Sequence, residues 1–335
     1  MLHSLVIGLG RAGAGLHLPV LAKARAAAPE LFHAGPPIAC DRAVRQRPRR
    51  TDAAVVDTPA AAARIVPPER TVVHVCTPPG QRLRLLTELA DLGFDKLIVE
   101  KPLAADDEEN SRIGLLRGRR GLRIAVVAHW LESALTARLR ALVAGQEHGA
   151  LVGMTFQQDK PRFRRSAATT GHPTAFDVEV PHSVGVALDL AGPAEVADAR
   201  CTDMHLADRT LPGLGAADLE LRHLGGATTR IRSDLTSPVQ RRSVELTFTG
   251  GRVLGHYPIS EHDDHAQLLT AGADARVLRD DALTSFLVRT YRTLGAEPAQ
   301  DTFALHSDVV RIIAEAKRRS AARALPERTV HEHAG

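Results

Sequence analysis

The chain has 335 residues, 44% hydrophobic and 24% charged, which predicts a soluble globular protein with two domains rather than one core. Its formal charge of +4 comes from 43 basic and 39 acidic residues that are mostly interspersed, without a long basic block carrying aromatics, so nucleic acid is not an expected partner. Cys40, Cys76 and Cys201 form neither a metal motif nor a disulfide framework and suit a reducing cytoplasm; the first strand is expected near residue 2, leaving no room for a leader, and no apolar run approaches membrane-spanning length.

The first element is a short apolar run that reaches Ile7 and breaks into Gly8, Gly10 and Gly13, with Arg11 and Ala12 between the last two. The spacing is G-x-G-x-x-G, and a helix is predicted over 14–26. The first glycine permits a tight turn, the second lets the backbone approach a pyrophosphate, and the third lets the helix pack close to its strand. Strand, glycine turn and helix in that order are the context that dinucleotide binding requires. Strands are predicted at 5–7, 37–40, 72–76, 96–99 and 123–128. Between them lie helices such as 82–92, where Leu83, Leu86, Leu89 and Ala90 share one face and Gly93 can cap the end. Such alternation predicts an α/β domain over residues 1–128, a doubly wound parallel sheet with helices on both faces. Asp41 ends the second strand, where an acidic residue binds ribose hydroxyls and favours NAD; its offset from Gly13 exceeds the usual ~20 residues through an insertion around 29–36. Arg42 and the arginines after it read either as a solvated connection or as a holder of the 2′-phosphate of NADP.

After about residue 130 the pattern changes. A helix over 133–144 precedes strands at 151–158, 195–205, 217–223, 227–235, 243–249 and 252–256, the last two joined by the turn Thr249-Gly250-Gly251-Arg252. Helices are predicted at 181–191, 282–294 and 302–323, which makes residues 129–335 an α+β domain with a large, mostly antiparallel sheet. Lys160, Arg162, Arg164 and Arg165 form a basic loop, either solvated or holding a substrate phosphate or carboxylate. The run Glu261-His262-Asp263-Asp264-His265 has metal-capable side chains in a polar loop without the framework of a known site, so no metal is predicted.

Five stretches together carry a resemblance: the glycine turn from Gly8 to Gly13, Cys76-Thr77-Pro78-Pro79, Glu100-Lys101-Pro102, His182 opening a helix that runs to Gly192, and a terminal helix with His306, Asp308 and Ala316. The chain resembles the Gfo/Idh/MocA family of NAD(P)-dependent sugar and cyclitol oxidoreductases over nearly its whole length. The resemblance implies a Rossmann domain followed by a domain with an open sheet, often used for assembly into homodimers or homotetramers. It also implies hydride transfer between the nicotinamide of NAD or NADP and a hydroxyl or carbonyl carbon of a polyhydroxylated small molecule: a sugar, sugar nucleotide or cyclitol. Thr77, Pro78 and Glu100 are placed on the cofactor side. Lys101 is implied to stand beside the nicotinamide and bond the substrate oxygen, where a desolvated ammonium exchanges its proton more easily. His182 is implied to share that acid/base task.

The chain departs from the family pattern in several places. Pro79 and Arg82 stand where Asn and His are common. The pattern D-x-G-x-H-x-x-D, aligned on His182, puts Val178 and Gly185 at the two acidic positions and Val180 at the glycine. Asp177 and Glu179 flank the lost upstream carboxylate, and Glu179 precedes His182 by three residues, a spacing that shares a helical face. Glu179 either orients His182 or caps the helix opened by Pro181. His129 and Trp130 follow the last Rossmann strand and either line or plug the pocket. The missing acidic pair leaves room for a cofactor-binding regulator or scaffold, and the same fold also hosts lyases and hydrolases that use NAD transiently, and imine reductases.

Overall fold

The computed structural model describes all residues except 43–52, 169–171, 261–262, 271, 273, 297–301 and 325–335. The arginines at 45, 47, 49 and 50 therefore lie outside the described residues, as do Glu261 and His262. Six strands form a parallel sheet: β1 (His3–Ile7), β2 (Ile38–Cys40), β3 (Ala54–Val56), β4 (Thr71–Val75), β5 (Lys96–Val99) and β6 (Arg123–Val126). Their order is β3-β2-β1-β4-β5-β6, so the direction of winding reverses between β1 and β4. That reversal opens a crevice at the carboxyl ends of the strands, where ligands of open α/β sheets bind. Every residue of β4 and β5 is buried, as a sheet covered on both faces requires.

One face is covered by α3 (Arg82–Asp91) and α4 (Asp107–Arg120), the other by α1 (Leu18–Ala27). A one-turn helix, α2 (Pro59–Ala63), follows β3 and is capped by Thr58. α4 shows how local sequence fixes an element. Asp106 caps its first turn, acidic residues fill that turn, arginines fill the last one, and Gly121 ends it in the left-handed conformation at φ 62°.

The second sheet has eight strands: β7 (Leu151–Asp159), β8 (Ala194–Cys201), β11 (Ala216–His223), β12 (Thr228–Asp234), β13 (Arg241–Phe248), β14 (Gly251–His256), β15 (His265–Thr270) and β16 (Arg276–Arg279). A separate two-strand ribbon joins β9 (Met204–His205) to β10 (Thr210–Leu211). The large sheet runs β16-β15-β14-β13-β7-β12-β11-β8 and is antiparallel except for the β7–β12 pair. The inner face is buried beneath α5 (Ala134–Gly145), α7 (Val180–Ala191) and α9 (Phe303–Ala324). The outer face is polar and carries pairs such as Arg230–Glu220 (3.1 Å) and Arg232–Asp218 (3.0 Å).

Several expectations are corrected. The strand expected over 195–205 ends at Cys201, because Thr202 and Asp203 turn back to bond Gly213, Gly215 and Ala216. The basic loop contains a short helix, α6 (Phe163–Ala168), and the polar run ending at His265 leads into β15 rather than remaining a loop. α8 (Ala282–Leu294), expected with the second domain, packs on α1: Phe286, Leu287, Tyr291 and Leu294 share a core with Val6, Val20, Leu21 and Ile98. The six-stranded sheet lies wholly before residue 129, but its covering layer is completed by a helix from the far end of the chain. Among the described residues, no helix is long and apolar enough to cross a membrane.

Candidate active site

The glycine turn sits at the carboxyl end of β1, at the crevice. Gly8 has φ +90° and bonds the carbonyl of Cys40, and a Cβ on Gly13 would stand 1.9 Å from the carbonyl oxygen of Gly8. Helix and strand therefore meet backbone to backbone. A Cβ on Gly10 would meet nothing within 4 Å, so the turn leaves open space where the backbone can meet a ligand. The helix begins at Arg11, and the amides of its first turn are donors without intrahelical partners. Its turn from Gly13 to His17 has π geometry, a feature frequent at functional sites. Asp41 reaches back from the end of β2, and its Oδ2 accepts from the Leu9 amide at 2.7 Å. The adjacent Arg42 is exposed. Across the crevice, Thr77 Oγ1 is buried without a protein partner. An open glycine backbone, free helix-turn donors and an orphaned hydroxyl fit a dinucleotide laid over the sheet edge.

Arg82, where the family often has His, serves as a clamp. Its fully buried guanidinium donates to the carbonyls of Thr77 (2.8 Å) and Pro102, tying the two loops that follow β4 and β5. Burial pushes it down to about 10, against the attraction of Glu100 and Glu109. Pro78 opens the loop as the residue before a short 3-10 turn at Pro79–Gln81.

Lys101 lies beyond β5 and spans the gap between the two sheets: its Nζ donates to the backbone carbonyl of Val178, just before α7. Burial lowers its pKa, opposed by Glu179 and Glu100 and reinforced by Lys160 and Arg162. Glu179 stands at the N-terminal boundary of α7 without capping it through its side chain; its Oε1 pairs with Lys160 at 2.9 Å. Burial alone would raise Glu179, but Lys160, Lys101, Arg242 and His182 together hold it well below the usual carboxylate range.

His182 projects from the first turn of α7 and is 8% exposed. Its ring meets His129 edge-on at 4.7 Å and stacks on Trp130 at 5.6 Å. Trp130 in turn stacks on Tyr257 at 4.1 Å and is buried, so it backs the histidine rather than lining open space. Burial, then His129 and Lys101, hold His182 well below 6.5, which makes it a neutral imidazole. His129, lowered to about 4 by burial and Arg242, keeps its Nδ1 buried without a partner. Burial and mutual charge effects thus couple Lys101, Glu179, His182 and His129.

Asp177 is engaged elsewhere. Its Oδ2 accepts from the amide and hydroxyl of Thr174 in a capping box, and its Oδ1 pairs with Lys317 of α9 at 2.9 Å. Val178 contributes its carbonyl to Lys101, and Gly185 packs toward Val309. Arg162, 4% exposed, stands at the start of α6 beside Lys160. Asp263, Asp264 and His265 bring three ligand atoms within 4.8 Å of one another, but this group is solvent-facing and Asp264 also holds Arg279.

Three contributors escape the sequence motifs. His172 is lowered to about 4 by burial, Lys101 and Arg162, so it feels the same charges. Arg242 acts on Glu179, His182 and His129, and strand register sets it opposite Gln158, whose side-chain amide is buried without partners. Arg242 falls outside the strand expected over 243–249, and only the sheet register sets it opposite Gln158.

No protein-family profile matches the chain, and no curated protein does. Solved structures do. An NAD-binding oxidoreductase from Klebsiella pneumoniae superposes with a TM-score of 0.77 at 14% identity, covering 96% of this chain and 97% of its own. An oxidoreductase from Thermotoga maritima gives 0.77 at 16% identity, with 95% and 96% covered. A 3-ketoreductase from Actinomadura kijaniata, in complex with TDP-benzene and NADP, gives 0.75 at 15% identity, with 95% and 97% covered. The chain therefore has the two-domain fold of these oxidoreductases.

Proposed function

We propose that this protein is an NAD(P)-dependent oxidoreductase that acts at a hydroxyl or carbonyl carbon of a sugar, sugar nucleotide or cyclitol. The observation that carries this reading is the convergence of Lys101, from the edge of the dinucleotide-type sheet, with Glu179 and His182 of α7. Gly8, Gly10, Arg11, Ala12 and Gly13 would hold the diphosphate, Asp41 the adenosine ribose, and Thr77, Pro78 and Glu100 the nicotinamide end; Asp41 favours NAD over NADP. When bound, the nicotinamide accepts or donates the hydride.

The protein's task is to position the substrate carbon and to move one proton at the substrate oxygen. Lys101 supplies an N–H toward that oxygen; neutral His182 can accept the hydroxyl proton during oxidation, and the imidazolium so formed can give it back in the reverse, reductive direction. Ionised Glu179 stabilises the positive charge that either residue carries. The uncovered face of the eight-stranded sheet supports assembly as a homodimer or homotetramer.

The test is binding of NAD(H) and NADP(H) by calorimetry, followed by absorbance of the reduced nicotinamide with a panel of sugars, sugar nucleotides and cyclitols. Dinucleotide-dependent turnover that is lost in Lys101→Ala is the expected result. Binding without turnover on any polyol would favour a regulator instead.

A further inference from the structure

A basic cavity of about 480 Å³ opens between the glycine turn and the end of β7, lined by Arg11, Lys160, Arg162, Phe163, Arg164 and Arg165. We propose that this cavity is a phosphoryl-binding subsite, and that the substrate turned over beside Lys101 carries a phosphate or diphosphate. The proposal rests on the oxidoreductase reading above and narrows its substrate class.

Five of the lining side chains are cationic. The carboxylate next to them is Glu179, which is paired with Lys160. Arg162 is 4% exposed, and its Nε is buried without a partner. A buried guanidinium N–H without an acceptor is costly, because its desolvation is not repaid by a hydrogen bond. Burial, then Arg165 and Arg11, push Arg162 down to about 10, with Glu179 opposing. Arg165 is lowered by burial and by Arg11 as well. Arg11 and Arg165 act against Arg162, and Arg11 acts against Arg165 with Glu179 opposing, so an anion entering the cavity would relieve both.

A carboxylate would offset one charge, whereas a phosphoryl group brings up to two and matches the guanidinium fork in bidentate geometry. The position favours the substrate over the cofactor as its source. Lys160 and Arg162 extend from β7, and Lys160 holds the same Glu179 that acts on Lys101 and His182. Arg11 is the contribution from the dinucleotide side.

The experiment is calorimetric titration of the full-length protein with inorganic pyrophosphate and with orthophosphate, each with and without saturating NAD⁺ or NADP⁺. Saturable pyrophosphate binding is expected, weakened about tenfold or more in Arg162→Gln, as loss of a charge-assisted hydrogen bond implies. Arg165→Gln, at a partly exposed position, should weaken it likewise and carries the test if Arg162→Gln does not fold. Binding that persists at saturating dinucleotide supports a substrate subsite. Absence of saturable binding, equal affinity in both variants, or displacement of pyrophosphate by the dinucleotide overturns it; displacement would assign the arginines to the cofactor's own diphosphate. Dinucleotide binding with no pyrophosphate binding refutes the subsite alone. Pyrophosphate binding with no dinucleotide binding refutes the oxidoreductase reading and retains the anion site.

Discussion

His17 Nε2 stands 2.8 Å from Glu100 Oε1, joining the π turn that follows the glycine motif to the residue before Lys101. The opposite ring nitrogen of His17 meets His74 at 2.8 Å, His74 meets the Tyr291 hydroxyl at 2.8 Å, and Tyr291 donates to Ser4 at 2.7 Å. This buried line runs from α8 through the sheet to the candidate nicotinamide loop. Burial would raise Glu100, but the His17 bond and the charges of His17, Lys101 and Arg82 bring it below its ordinary value. An ionised Glu100 only accepts, so His17 Nε2 carries the proton between them.

His17→Ala should therefore leave Glu100 buried with fewer donors and unseat Lys101. Removing one partner of a buried pair costs about 3–5 kcal/mol. The melting temperature should fall, and dinucleotide affinity should fall with it. His17→Gln, which restores a donor at similar length, should recover part of both; no recovery would argue that ring packing, not the Glu100 bond, is what matters.

Lys101→Met should lower turnover by about 10²–10⁴-fold, the usual range for loss of a positioned acid/base group. Dinucleotide affinity should change little, because the diphosphate and ribose contacts are made elsewhere. Calorimetry and single-turnover rates on the same preparation separate the two. An equal fall in affinity would move Lys101 from proton handling to cofactor binding.

Glu179 and Asp177 are neighbours with opposite predicted phenotypes. Glu179→Gln removes the negative charge that favours protonated Lys101 and His182, so the pH profile of turnover should shift toward lower pH while folding is retained. Asp177→Asn weakens a capping box and the Lys317 pair, and should cost about 1–3 kcal/mol of stability with the pH profile unmoved. A shifted profile in Asp177→Asn would return that residue to the acid/base machinery.

Stability itself should depend on pH between about 6.5 and 4. Burial holds His306 at about 4, burial with Arg242 holds His129 there, and burial with Lys101 and Arg162 does the same for His172. Unfolded, each titrates near ~6.5, so within that window the unfolded chain binds more protons than the folded one. The stabilisation is complete above the window and is lost as pH falls through it. For His306, which is buried in α9, the shift corresponds to about 3 kcal/mol. Melting curves from pH 7 to 4.5 should show the fall, and His306→Leu should make it shallower; a flat curve in the wild type contradicts this account.

The parallel sheet was legible because β4 and β5 are short apolar runs buried on both faces, each followed by a distinctive loop. β3, with three residues, β15, which opens at the end of a polar run, and β16, bounded by Arg276 and Arg279, lack that contrast and were not anticipated. Lys101 and His182 were visible from motifs that sit at strand and helix ends. Arg242, Gln158 and His172 were not, since strand register and a distant loop bring them together, and neither leaves a local pattern. Thr174 and Lys317, the partners that hold Asp177, were not legible either, and Lys317 lies 140 residues downstream.

Gly10 and Gly13 offer the most direct separation of fold from binding. A Cβ at Gly13 would collide with the Gly8 carbonyl, so Gly13→Ala must push helix and strand apart, at a cost of about 1–3 kcal/mol or more. A Cβ at Gly10 meets no protein atom within 4 Å, so Gly10→Ala should melt close to wild type. Its methyl group would nevertheless occupy the space across which the backbone approaches the diphosphate, and dinucleotide affinity should fall at least about tenfold, a loss of ~1.4 kcal/mol. Thermal melting and calorimetry on the two variants therefore give different signatures: both quantities fall for Gly13→Ala, and affinity alone falls for Gly10→Ala. If Gly10→Ala binds NAD(P) as tightly as wild type, the diphosphate does not lie over this turn.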